Sequence, residues 1–266
     1  IWHRTLHIAF PKKINMYEIN KIIVPYPKSK KEQSQIGTFF QNLDKQITLE
    51  QQKHDKLVTL KKAMLEKMFP KEGASVPEIR LKGSYNKWVQ DILENVTDVR
   101  DGTHASPKYQ LEGHPFITSK NLKNGDINYE DVNYITDSDF NEINKRSKVD
   151  VNDILMGMIG TIGNIALIRK SPDFAIKNVA LIKDIGRVYY LYLYYFLQTP
   201  FLTKQLSNGM DGGTQKFIAL NKIRKLSILF PSKEIQSQIG SYFQNLDNLI
   251  SLQQQKIDKL KNIKKA

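Results

Sequence analysis

The stretch QSQIGTFFQNLDKQITLEQQKHDKLVTLKKA, Gln33 to Ala63, returns as QSQIGSYFQNLDNLISLQQQKIDKLKNIKKA, Gln236 to Ala266. The copies agree at 21 of 31 positions without a gap. A repeat of this kind decides the architecture before any other feature. Neither copy contains proline, and each has one glycine near its start, Gly37 and Gly240. Apolar residues recur in steps of four and three. The first copy has Ile36, Phe40, Leu43, Ile47 and Leu57, continuing to Met64 and Met68. The second has Ile239, Phe243, Leu246, Ile250, Ile257 and Leu260. A 3.5-residue period predicts two long helices with coiled-coil seams. Glu50 and Gln253 fall on the seam at matching places, where a polar residue costs stability and fixes register. Pro70 stops the first helix. About 35 residues at 1.5 Å each make a helix roughly 50 Å long.

A globular block joins the copies, so helices that pair with each other must run antiparallel. The alternative is two independent helices, each packed on its own neighbour. Pairing is favoured because neither seam has another apolar partner in the sequence. Upstream, INKIIVPYP (Ile19 to Pro27) resembles IRKLSILFP (Ile223 to Pro231). Each copy is therefore expected to open with a short strand and a proline turn before its helix.

The 266 residues carry 40 Lys+Arg against 27 Asp+Glu, a formal charge of +13, and no cysteine. The length allows one or two domains. Lack of Cys excludes disulfides, thiolate zinc sites and a cysteine nucleophile. It is compatible with a reducing cytosol, and a cytoplasmic location is expected. The longest apolar stretch, Ile154 to Ile168, is broken by Gly, Thr and Asn. It is also shorter than the ~18–20 residues of a membrane span, so no membrane role is expected. A charge of this size points to a polyanion, or simply to a protein of high pI. Residues 1–71 and 233–266 together carry +11 of it. Residues 72–142 carry −6 and residues 143–232 carry +8.

The block between the repeats reads as α+β with short strands and polar loops. After a linker over residues 70–82, Trp88 to Val96 reads as a strand and a helix entry. DGTHASP (Asp101 to Pro107) is a loop, and HPFITSKNLKNGDI (His114 to Ile127) is a strand, a polar loop and an Asn-Gly turn. DILMGMIGTIGNIALI (Asp153 to Ile168) gives two strands around its glycines. RVYYLYLYYFLQTPFLTKQLSNG (Arg187 to Gly209) is a buried helix with a proline break. Its tyrosines could stack on bases, but their helical spacing among Leu and Phe favours core. GGTQKFIALNKI (Gly212 to Ile223) is a Gly-rich turn into a short helix.

Catalytic signatures are missing: no P-loop, no dinucleotide fingerprint, no H-E-x-x-H, no G-x-S-x-G and no [N/D]-P-P-[Y/F]. The five His residues show no metal spacing. No catalytic or metal residue is therefore assigned. The polar loops are the better candidates for contact with DNA. Lys108, Lys120, Lys177 and Lys216 can meet phosphates. Ser119, Asn121, Asn178, Thr214 and Gln215 can serve bases or backbone. Thr103, His104, Tyr109, Thr161 and Gly213 lie in the same loops.

Two near-identical helical segments around such a block resemble the DNA-specificity (S) subunits of type I restriction-modification systems. The resemblance rests on KKEQSQIGTFFQNLD and KEIQSQIGSYFQNLD, and on DGTHASPKY, HPFITSKNLKNGDI, DILMGMIGTIGNIALI and GGTQKFIALNKIRKLSILFP. It implies one target-recognition domain flanked by two repeat helices pairing as an antiparallel coiled coil. The implied divisions are 1–27, the end of a first recognition domain; 28–69, the central spacer helix; 70–231, the second recognition domain; and 232–266, the C-terminal spacer helix. It implies a non-catalytic subunit that reads one half of a bipartite site on double-stranded DNA. Such a subunit holds methyltransferase (M) subunits, which use S-adenosylmethionine on adenine N6, and restriction (R) subunits, which use ATP and Mg. This chain itself would bind no cofactor. The alternatives are a half-subunit that homodimerises through its helices, a coiled-coil interaction protein, or a free-standing methyltransferase or nuclease.

Overall fold

The computed structural model describes residues 14–84, 86–214 and 216–265. A short helix α1 (Met16–Asn20) precedes the long α2 (Lys30–Lys67). Then come β1 (Val89–Ile92), α3 (Leu93–Val96), β2 (Asp98–Asp101), β3 (His114–Ile117), β4 (Leu122–Lys123), β5 (Asp126–Ile127) and β6 (Asn133–Ile135). Helix α4 (Asp137–Ser147) leads to β7 (Ile154–Gly157), β8 (Ile165–Leu167), β9 (Ala175–Ile176) and β10 (Val179–Lys183). Helices α5 (Tyr190–Phe196), α6 (Pro200–Gly209) and α7 (Leu220–Arg224), strand β11 (Ser227–Phe230) and the long α8 (Lys233–Lys265) complete the chain. No helix among the described residues is long and apolar enough to cross a membrane.

The described residues form two compact units, residues 14–53 with 253–265, and residues 54–252. Each long helix contributes to both. In the first unit α2 and α8 pair antiparallel, since Asp44 meets Lys264 while Glu50 meets Gln253 and Lys256. Leu43 and Ile257 are buried there, and Ile47 and Leu260 are half-buried. Glu50 is also buried at 8% exposure, yet it is fully partnered. It accepts from Lys256 Nζ at 2.7 Å, Gln253 Nε2 at 2.5 Å and Lys53 Nζ at 3.2 Å. The Lys256 bond first, then Gln253 and Lys53, hold its carboxyl down from an ordinary 4.5 to about 2. Buried polar groups survive on a seam only when satisfied in this way, and the pairing sets the register.

The second unit is built on an antiparallel sheet of order β2-β10-β7-β8. Its central strands are buried on both faces, which is why their sequence reads as a continuous apolar run. Ile154, Met156, Ala180 and Ile182 face the main core, while Leu155, Val179 and Leu181 face a second cluster with Ile117 and Ile176. A second sheet, β6-β3-β9, is covered by Phe140 and Ile143 of α4. The Asn-Gly turn between β4 and β5 has φ of 54° at Asn124 and 81° at Gly125, the positive pair a two-residue hairpin requires.

The main core is aromatic. Tyr192, Tyr195 and Phe196 of α5 are buried with Phe69, Trp88 and Phe243, so the tyrosine run is core and not a base-stacking platform. Tyr192 donates to Leu229 O at 2.5 Å, and Tyr195 to Asp247 Oδ2 at 2.9 Å. Asp247 also pairs with Lys61 at 2.6 Å, tying the two long helices within this unit. Burial drives the Tyr195 hydroxyl pKa upward, as expected for a donor in an apolar layer.

Two expectations change. Residues 22–27 form no strand, although their counterparts form β11. A strand needs a neighbour to take its backbone hydrogen bonds. β11 has β1, from Val89↔Phe230 to Ile92↔Ser227, and Ile22 to Pro27 have no such partner among the described residues. The seam is also not uniform. Ile239, Phe243 and Leu246 are buried in the domain's aromatic core, and Leu57 and Ile250 are half-buried. Ile36 and Phe40 remain 43% and 41% exposed.

Candidate nucleic-acid interface

Short strands end in polar loops, and hydrogen bonds stitch several of these loops into one surface of the second unit. Gly102 N–H donates to Val179 O, and Thr103 forms a bridge with Lys177. Asn178 takes a left-handed φ of 53° and donates its N–H to Thr103 O at 3.2 Å. Lys177 Nζ reaches Ser106 Oγ at 2.5 Å. Thr161 Oγ1 donates to Ser119 O at 2.7 Å. Gly160 N–H donates to Lys216 O at 3.3 Å, and Ile159 bridges to Phe217. Thr103, His104, Ser119, Thr161, Lys177, Asn178 and Lys216 are thus brought together, with Gly213 and Thr214 exposed in the adjoining turn. Gln215 lies outside the described residues.

The roles within this surface differ. Ser119 is 5% and Asn121 2% exposed, so both are corrections: they hold loops and do not present groups to a ligand. Ser119 Oγ donates to Asn178 O at 3.1 Å and accepts from Met158 N–H at 3.1 Å. Asn121 Oδ1 accepts from Thr118 N–H at 3.0 Å, while its Nδ2 donates to Asn128 O and Asp131 O. His104 is exposed, yet its ring nitrogens lie 2.6 Å from Asn178 Oδ1 and 3.0 Å from Asp101 Oδ2. It spans the gap between β2 and the Lys177–Asn178 loop. Asp101 is buried and also pairs with Arg146 of α4. Buried carboxylates are costly without such partners.

Lys108 and Tyr109 are exposed, and among the described residues no hydrogen bond ties them to this cluster; the Tyr109 ring sits 6.3 Å from Phe116. Lys120 is exposed and paired with Asp131 at 2.8 Å. That bond holds the Asp131 carboxyl below the usual carboxylate range, and a DNA phosphate reaching Lys120 would have to compete with it. The sequence reading missed Phe217, 42% exposed beside Lys216, and the Asp101–Arg146 support. No cluster of three His, Cys, Asp or Glu able to hold a metal occurs among the described residues.

Exposed lysines and polar groups on short, backbone-anchored loops are features that suit a surface for contact with a polyanion. The Type I restriction modification DNA specificity domain family matches residues 9–59 and 143–262, and the chain belongs to that family. The MjaVIII specificity subunit of a type I restriction enzyme from Methanocaldococcus jannaschii is 23% identical over 266 aligned positions, 92% of this chain and 60% of that protein. The crystal structure of a type I restriction-modification S subunit from M. genitalium shares the fold with a TM-score of 0.63 at 14% identity, covering 95% of this chain and 63% of that one. The HsdS subunit from Thermoanaerobacter tengcongensis gives 0.57 at 15% identity, covering 94% and 60%. The chain therefore spans about 60% of the length of these relatives.

Proposed function

We propose that this chain is a non-catalytic DNA-recognition subunit, and that the loop surface of residues 103–106, 160–161, 177–178, 213–214 and 216–217 reads base edges. The observation that carries the reading is the convergence of polar loops distant in sequence on one hydrogen-bonded surface, in a chain of a DNA-specificity family. Preorganised donors and acceptors discriminate bases in the major groove, while lysines take up phosphates. The helix pair spaces this surface from a second half-site and holds methyltransferase and restriction subunits. Those partners supply S-adenosylmethionine, ATP and Mg chemistry, and the target adenine leaves the stack to enter the methyltransferase pocket. Co-expression with the methyltransferase of the same system tests this. Methylated adenines should fall within one recurring sequence, and methylation unrelated to sequence would refute it.

The repeat supports a further part of the reading. In the second copy Gln236 is 2% exposed and accepts from Tyr189 N–H at 2.8 Å, and Ile239 and Phe243 are buried. A Cβ on Gly240 would sit 2.9 Å from Leu191 Cβ. In the first copy Gln33, Ile36 and Phe40 are exposed, and a Cβ on Gly37 would meet nothing within 4 Å among the described residues. The first copy carries the same docking residues, and among the described residues no domain covers them. We assign this face to a second recognition domain of the same build as residues 88–230, with residues 1–27 belonging to it. A homodimer is the competing outcome, and light-scattering mass separates the two. A monomer that binds a separately expressed recognition domain supports the assignment, and a dimer buffered by its own Phe40 face refutes it.

A further inference from the structure

Phe217 follows Lys216 at the end of a Gly-rich stretch of sequence, and its own backbone is held on both sides. Phe217 and Asp211 exchange both N–H···O bonds at 2.9 Å. Ile159 bridges to Phe217 from the other side, and Ile218 N–H donates to Met158 O at 2.9 Å. Successive side chains on such an extended segment point to opposite faces. Ile218 enters the core at 1% exposure, so the Phe217 ring is directed outward, and it stays 42% exposed between Lys216 and the core. No ring among the described residues lies against it. Folding gains little from the 42% of this side chain that stays in water on a rigid backbone. A duplex surface gains more, since thymine offers its methyl group in the major groove and an unstacked base step offers a ring face.

We propose that Phe217 is a specificity-determining residue that touches a base directly, through its ring, beside the phosphate contacts of neighbouring lysines. This rests on the DNA-recognition reading above. The contact is apolar and carries no charge, so it separates experimentally from phosphate binding. A phosphate contact adds to affinity for every duplex and to its salt dependence. A ring against one base adds only where the base and its neighbours fit.

The test uses the full chain and the duplex it enriches from a random pool. Phe217→Ala should bind that duplex roughly 5- to 100-fold more weakly, the range of one base–aromatic contact. Its affinity for a random duplex and its salt slope should not change. Phe217→Leu keeps the covered half of the side chain, preserves the fold and should recover only part of the loss. Replacing each thymine of the target by uracil then locates the contact. A loss at one thymine, absent in Phe217→Ala, assigns it to that methyl group, and no thymine dependence assigns it to a base face. Unchanged target affinity in both variants, or equal losses on target and random DNA, overturns the proposal. A wild-type chain that enriches no sequence overturns instead the recognition reading beneath it.

Discussion

Identical residues in the two copies should respond oppositely to the same truncation. Phe243 is fully buried, with ring centroids 5.7 Å from Phe69 and 5.1 Å from Tyr195. Phe243→Ala removes a ring from a close-packed aromatic layer whose neighbours are held by Tyr192 and Tyr195 hydrogen bonds and cannot collapse freely. Core Phe→Ala changes cost about 3–5 kcal/mol. At about 2–4 °C per kcal/mol for a chain of this size, the melting temperature should fall by roughly 6–20 °C. Phe40 is 41% exposed, and its nearest ring is Phe39 at 5.5 Å. Phe40→Ala should cost under about 1 kcal/mol, a shift of a few degrees at most. Thermal denaturation followed by near-UV circular dichroism, which reports aromatic packing, measures both. Equal shifts, or a larger one for Phe40→Ala, would show that the copies share one environment and refute the argument.

Two further perturbations follow from the helices. Glu50 falls from an ordinary 4.5 to about 2 on folding, so its contribution is present above pH 4.5 and is lost as pH drops through the 4.5-to-2 window. Helical circular dichroism should decline in that window for the wild type, and Glu50→Gln should flatten the acid side of the profile; an unchanged profile counts against a stabilising role for the Glu50 contacts with Lys256 and Gln253. Gly37→Ala should stabilise the chain by up to about 1 kcal/mol through helix propensity, while Gly240→Ala, whose Cβ meets Leu191 Cβ at 2.9 Å, should destabilise it. Urea midpoints decide between this and a common direction.

The repeat and the helices were legible because a 3.5-residue period is a local property of the chain. The pairing itself was legible because neither seam has another apolar partner in the sequence, and the contacts of Asp44 with Lys264 and of Glu50 with Gln253 establish that it is antiparallel. The contrast between Phe40 and Phe243 was not legible, since two near-identical stretches carry the same local information and differ only in what packs on them. The absent strand at residues 22–27 has the same cause: strand formation depends on a distant partner, which β11 has in β1. In the loops, residue type alone could not separate Ser119 and Asn121, whose groups are spent on the backbone, from Thr214 and Lys216, which face solvent. Phe217 did leave a signal, an aromatic residue inside a Gly-rich polar turn, next to the apolar Ile218 that alternation sends inward.

The central claim is that the loop surface of the second unit selects a DNA sequence. Selection of bound duplexes from a random pool, with wild-type chain and a Thr214→Ala/Lys216→Ala variant side by side, measures this directly. The account predicts one enriched motif for the wild type and a weakened or altered motif for the variant. The same motif at the same strength from both, or no motif from the wild type, would contradict it.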